Sequence, residues 1–99
     1  MPTILILGAG LSTASLIRYL LDRAGDCHWK VRVGDINPES AAEKVQDHPQ
    51  GEAFAFDVFD ERQRQTEIKG SRLVVSMLPA RMHYLVAESC VAIGRNLVT

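Results

Sequence analysis

The sequence predicts an α/β fold: a doubly wound parallel sheet of five strands in the order 3-2-1-4-5, with helices on both faces. Three observations predict it. Short apolar segments alternate along the chain with longer segments of helical period, which implies crossovers between parallel strands. The opening segment, Thr3-Ile4-Leu5-Ile6-Leu7, is continuously apolar and β-branched, the pattern of a strand buried on both faces. It runs straight into Gly8-Ala9-Gly10, a glycine turn set between a strand and a helix.

The elements follow in order. After the turn the period changes: Ala14, Ile17, Leu20, Leu21 and Ala24 recur at helical spacing, and Gly25-Asp26 is expected to end that helix. Trp29 to Val33 reads as the second strand, ending at Gly34-Asp35. Asn37-Pro38-Glu39 is a helix start, because Asn caps and Pro has no amide to leave unpaired in the first turn. Ala41, Ala42 and Val45 give that helix its apolar face. Ala53-Phe54-Ala55-Phe56 is the third strand. Asp60 with Gln63 resembles a capping box that opens a polar helix to Ile68. Arg72 to Met77 is the fourth strand, closed by Pro79. Met82, Leu85, Val86, Cys90 and Ile93 then line one helical face, Gly94 ends it, and Asn96 to Thr99 is the fifth strand.

Ninety-nine residues make one domain, 1–99. A net charge of −1 at pH 7 gives no electrostatic footprint for nucleic acid or an anionic membrane. No apolar run is long enough to cross a bilayer, and no basic region precedes the first apolar run as a signal peptide requires. Cys27 and Cys90 lie too far apart in sequence for a zinc or redox pair, so a reduced, cytoplasmic protein is expected, with Cys90 a small core residue. No metal-ligand cluster and no catalytic constellation stands out.

The chemistry sits where strands end. Gly8 permits the tight turn, Gly10 leaves room for a pyrophosphate to approach the backbone, and the amides that open the helix face its charge. The third glycine of the usual motif is replaced by Thr13, with Ala14 next, which changes how the first helix packs on the sheet. The plainer reading, a connecting turn, is outweighed by the placement. Asp35 lies 25 residues after Gly10 at the end of the second strand. A carboxylate there accepts hydrogen bonds from the adenosine ribose and repels a 2′-phosphate, which favours NAD over NADP. A turn or capping aspartate is the alternative, and Arg32 or a lysine could still approach a phosphate. Asp57 and Val58 follow the third strand, where they would border the adenine ring; an ordinary turn aspartate is an equal reading. Ser76, Met77 and Leu78 end the fourth strand at the same edge and are candidates to line the cofactor between ribose and nicotinamide. His83 opens the next helix, either as a proton relay or, preferred here, as a residue that packs or caps. His28 and His48 read as surface residues in turns.

Together these residues resemble the saccharopine dehydrogenase (saccharopine reductase) family. The resemblance rests on Leu5-Ile6-Leu7-Gly8-Ala9-Gly10, on Val33-Gly34-Asp35 and on Phe56-Asp57-Val58. It rests above all on the stretch from Leu73 to Thr99, with Val74-Val75-Ser76-Met77-Leu78-Pro79, His83, Val86-Ala87, Cys90 and Gly94-Arg95-Asn96-Leu97-Val98-Thr99. It implies an NAD(P)-dependent oxidoreductase of lysine metabolism that oxidises the secondary amine of saccharopine by hydride transfer, the imine then being hydrolysed. Other members act on carboxylated polyamines. The resemblance also implies that Gly8, Ala9, Gly10, Leu11, Ser12, Asp35, Ser76, Met77 and Leu78 surround the dinucleotide. In the family the chain continues past a residue like Thr99 with a segment that reaches the substrate, so Thr99 is expected at the substrate edge. The 99 residues are expected to be a truncated piece that binds a dinucleotide without turning over saccharopine. A small amino-acid substrate and a homodimer, paired through the edge of the fifth strand, are the expected partners.

Two other readings share the glycine turn and the acidic residue. One is a non-catalytic nucleotide-sensing module like those of potassium uptake systems. The other is a methyltransferase-like domain, where an acid after the second strand also meets a ribose. The sensing module gives no reason for the stretch from Leu78-Pro79 to His83.

Overall fold

The computed structural model of the chain describes residues 2–10 and 13–98. Strands and helices alternate throughout: β1 (Thr3–Leu7), α1 (Ala14–Cys27), β2 (Lys30–Asp35), α2 (Pro38–Val45), β3 (Gly51–Ala55), α3 (Glu61–Lys69), β4 (Leu73–Ser76), α4 (Ala80–Ile93) and β5 (Asn96–Val98). All pairings are parallel, and the sheet order is β3-β2-β1-β4-β5, as the alternation predicts.

β1 explains why both faces are covered. Its side chains alternate, and both sets are apolar. Ile4 and Ile6 join Ile17 and Leu21 of α1 and Ala41 and Val45 of α2 in one core. Leu5 and Leu7 join Ile68 of α3 and Val86 and Cys90 of α4 in the other. A strand polar on alternate positions would leave one helix pair without a surface to bury against. Cys90 is buried in this second core as expected, and burial pushes its thiol up from the ordinary range.

Element ends depart from the sequence reading in physically informative ways. Gly25 and Asp26 do not end α1. The helix runs on to Cys27 and closes on His28 in the left-handed conformation (φ 58°), whose amide donates to the Ala24 carbonyl. Trp29, expected as the first residue of β2, lies outside it. Its indole N–H reaches the Leu20 carbonyl (3.0 Å) and its backbone amide the Ala24 carbonyl, so it finishes α1. β2 continues instead through Gly34 and Asp35, which pair with Leu7, Phe54 and Ala55. β3 begins two residues before the apolar run, because Gly51 and Glu52 pair with Val31 and Arg32 and Glu52 takes the Arg32 guanidinium at 2.5 Å. Asp60 does cap α3, accepting from the Gln63 amide at 3.0 Å. The reciprocal half of the box is absent: the Gln63 side chain bonds Asp57 N–H and the Ala55 carbonyl instead.

Among the described residues, no helix is long and apolar enough to cross a membrane.

Gly34 is required by packing. A Cβ there would sit 2.7 Å from Phe54 Cζ and 2.8 Å from Phe56 Cβ, where real contacts do not occur. Gly34→Ala is therefore expected to destabilise the domain by about 1–3 kcal/mol through overpacking. Urea unfolding should show a lower midpoint at unchanged slope; an unchanged midpoint would contradict this account of the strand.

Candidate functional site

Every strand of a parallel sheet delivers the chain to one edge. At the carboxyl edge the turns after β1, β2, β3 and β4 meet around a cleft of about 440 Å³. The order reverses between β1 and β4, the place where such sheets take ligands.

The glycine turn is built as the sequence requires. Gly8 has φ +100°, a conformation that side chains resist, and a Cβ there would lie 3.0 Å from the Met77 carbonyl oxygen. Its amide continues the ladder to the Gly34 carbonyl at 2.8 Å. Among the described residues, Gly10 has no neighbour within 4 Å of a would-be Cβ, so none of them crowds its backbone. Thr13, in place of the third glycine, is 1% exposed and donates its backbone amide to the Gly10 carbonyl.

Asp35 and the glycine turn are neighbours. One carboxylate oxygen of Asp35 accepts the Ala9 amide at 2.7 Å, and the other accepts the Asn37 amide at 2.8 Å. A half-buried carboxylate with two backbone donors is thereby tied to the chain on both sides. It clamps the turn after β1 to the turn after β2.

Gly8, Ala9, Gly10, Asp35, Asp57, Val58, Met77 and Leu78 all line the cleft. Ser76 does not. It is buried at the end of β4, and its hydroxyl lies 2.9 Å from His83 Nδ1, beside a second cavity. His83 therefore does pack against a strand end, and it does so through a polar pair. Leu11, Ser12 and Thr99 lie outside the described residues. Asp57 is exposed and accepts the Phe59 amide at 3.0 Å, an ordinary turn contact. Val58 is spent largely on the core beneath. Arg32 does not reach this edge: Glu52, Glu67 and the Phe54 ring (4.3 Å) hold it over β3 and α3. His28 serves as a helix end, and His48 Nδ1 accepts the Gln50 amide. Among the described residues, no group of His, Cys, Asp and Glu gathers as a metal site.

Two residues that the sequence reading passed over flank the mouth. Ile36 is 75% exposed and Phe59 64% exposed. Both line the cleft, and large apolar side chains left in water beside a concave site mark a candidate binding surface. Their signal in the sequence is an apolar residue within two positions after a turn acid that follows a strand, in Asp35-Ile36 and in Asp57-Val58-Phe59.

The family model described as the saccharopine dehydrogenase NADP binding domain matches residues 4–99. The chain belongs to this family. A comparison with curated protein sequences gave no match. Among solved structures, the fold is similar to an apo saccharopine dehydrogenase (L-Glu forming) from Saccharomyces cerevisiae, at 20% identity and a TM-score of 0.85. That match covers 98% of this chain and 21% of the other. A Rossmann-fold NAD(P)-binding family protein from Shigella flexneri matches at 19% identity and a TM-score of 0.77, over 98% of this chain and 50% of that one. A short-chain dehydrogenase/reductase from Veillonella parvula in complex with NADP matches at 15% identity and a TM-score of 0.70, over 97% and 45%. This saccharopine dehydrogenase NADP binding domain thus spans about a fifth of the yeast structure and about half of the other two.

The family's description gives the expected preference for NAD no support, since it names NADP. Asp35 was expected to grip a ribose; in the structure each of its oxygens accepts one backbone amide, from Ala9 and from Asn37, and each keeps a further acceptor site.

Removing the clamp should loosen the turn before it affects any ligand. Asp35→Ala is expected to cost about 1–3 kcal/mol, most of it from the buried Ala9 amide left without a partner. Asp35→Asn, which keeps one acceptor, should cost less. Hydrogen exchange at Ala9 reads this directly: faster exchange in the Ala variant is expected, and unaltered exchange would show the bond to be unimportant.

Proposed function

We propose that this chain is the coenzyme-binding domain of an NADP(H)-dependent oxidoreductase. On this reading the intact enzyme transfers hydride between the coenzyme and the secondary amine of saccharopine in lysine metabolism. The observation that carries the reading is the meeting, at one cleft on the switch point of the sheet, of an open glycine turn, the Asp35 clamp and an apolar mouth. The specificity of the Leu73 to Thr99 stretch supports the substrate class.

The residues lining the cleft fit the adenine and diphosphate that NADP(H) shares with NAD(H), and the NADP form rests on the family's description. The open backbone around Gly10 suits a diphosphate, which needs amides and space rather than side chains. Ile36 and Phe59 suit apolar contact with an adenine ring, and Asp57, in the same lining, suits its exocyclic amine. Met77 and Leu78 carry the cleft across β4 toward the reacting end. When bound, the coenzyme supplies the hydride acceptor or donor. The chain's own work is to hold it by the adenosine half and the diphosphate and to leave one face of the reacting ring open to substrate. Both cysteines are free, with Cys27 exposed, which fits the reducing cytoplasm we propose as the setting.

Fluorescence titration with NADPH and with NADH tests the reading, with S-adenosylmethionine as a control. NADPH is expected to saturate the domain more tightly than NADH, and S-adenosylmethionine not to bind. Tighter binding of NADH would overturn the NADP form, and binding of neither would overturn the function. Ile36→Ser and Phe59→Ser are each expected to weaken NADPH by about three- to tenfold, the equivalent of about 1 kcal/mol of lost apolar contact. Unchanged affinity in both would remove them from the adenine site.

A further inference from the structure

Resting on the coenzyme reading above, we infer that His83, oriented by Ser76, is the positioning residue that receives the carboxamide of the nicotinamide. The argument begins with the topology. A dinucleotide whose adenine lies at the ends of β2 and β3, and whose diphosphate lies at the turn after β1, must cross the switch point and end beyond β4. A second cavity, of about 420 Å³, lies there. It is lined by Ser76, Met77, Leu78, Ala80 and His83. Met77 and Leu78 line the first cleft too, so the two cavities are neighbours across a single wall.

The lining matches one ligand chemistry better than another. Three of its five residues, Met77, Leu78 and Ala80, offer apolar contact, and no arginine or lysine contributes. A carboxylate would call for a cation. A flat, mainly apolar ring bearing one neutral amide calls for apolar walls and one well-placed donor.

His83 is built to be that donor. Ser76 is 4% exposed, so the hydrogen of its hydroxyl needs an acceptor. Among the described residues the acceptor within reach is His83 Nδ1, at 2.9 Å. With the serine donating to Nδ1, the imidazole carries its own hydrogen on Nε2. Nε2 makes no hydrogen bond among the described residues, and His83 lines the cavity. In the tautomer in which the serine donates, the pair presents an Nε2–H on a ring held from behind by a buried side chain. An amide oxygen is its natural partner, and the bond would set which edge of the ring points toward the substrate.

The test compares a probe that spans both cavities with one that stays in the first. His83→Leu is expected to weaken NADPH about three- to tenfold and to abolish the blue shift of its nicotinamide fluorescence on binding. The affinity of 2′,5′-ADP, which lacks the nicotinamide half, should stay within about twofold. His83→Gln, which retains a donor, should recover part of the NADPH affinity. A merely structural His83 would weaken both ligands alike, and that result, or no change in NADPH binding, would overturn the inference. Failure of the unaltered domain to bind 2′,5′-ADP would instead overturn the coenzyme reading and this inference with it. Should the Leu variant fail to fold, nuclear Overhauser contacts in the unaltered domain decide. Contacts from the nicotinamide protons to the His83 ring support the inference, and contacts to Asp57 or Val58 in its place overturn it.

Discussion

Two turns at the carboxyl edge of the sheet are bound to one another by a single side chain. The chain leaves β1 through Gly8 with a left-handed backbone that points the Ala9 amide sideways, toward β2. Asp35, the last residue of β2, accepts that amide and the amide of Asn37 at the start of the next helix. The shape of the cleft follows from this clamp. It holds the glycine turn against β2, sets the approach of α2 through its Asn37 cap, and leaves the far side of Gly10 open. It also changes what Asp35 is for. A carboxylate at this position is readily taken as a sugar-binding group, but here its first duty is to the backbone.

The cores beneath make the clamp possible. Because β1 is apolar on both faces, helices pack on each side and the sheet edge is left as the place where polar chemistry can collect. The charged side chains that might have competed for that edge are held elsewhere. Arg32 is locked between Glu52 and Glu67, and Arg64 is buried against Ser89 and the Val58 carbonyl. The Arg64 contact also steadies the segment from Val58 to Phe59 that forms one rim of the cleft.

Much of this was legible from residue order alone. The alternation of Ile4 to Leu7 with the helical period of Ile17 to Ala24 announced the sheet and its topology, and the glycine turn with Asp35 announced the edge. What escaped was set by tertiary contacts. Glycine is the usual left-handed residue after a helix, so Gly25 drew the boundary of α1 too early, where His28 takes that conformation instead. Glu52 hid the start of β3, because its polarity is compensated only by an arginine 20 residues away. Ile36 and Phe59 were not singled out, because only the fold brings the turns after β2 and β3 to one cleft. The bond from the Ala9 amide to Asp35 depends on the direction of that amide, which no sequence pattern encodes.

The central claim is that the carboxyl edge around the Ala9–Asp35 bond is where the dinucleotide sits. Mapping backbone amide resonances of the domain as NADPH is added tests it most directly. The account predicts large shifts at Ala9, Gly10, Ile36, Asp57 and Met77, with Lys69 to Arg72 and Gly94 to Asn96 at the opposite edge unmoved. Shifts concentrated at that opposite edge, with Ala9 and Ile36 silent, would contradict it.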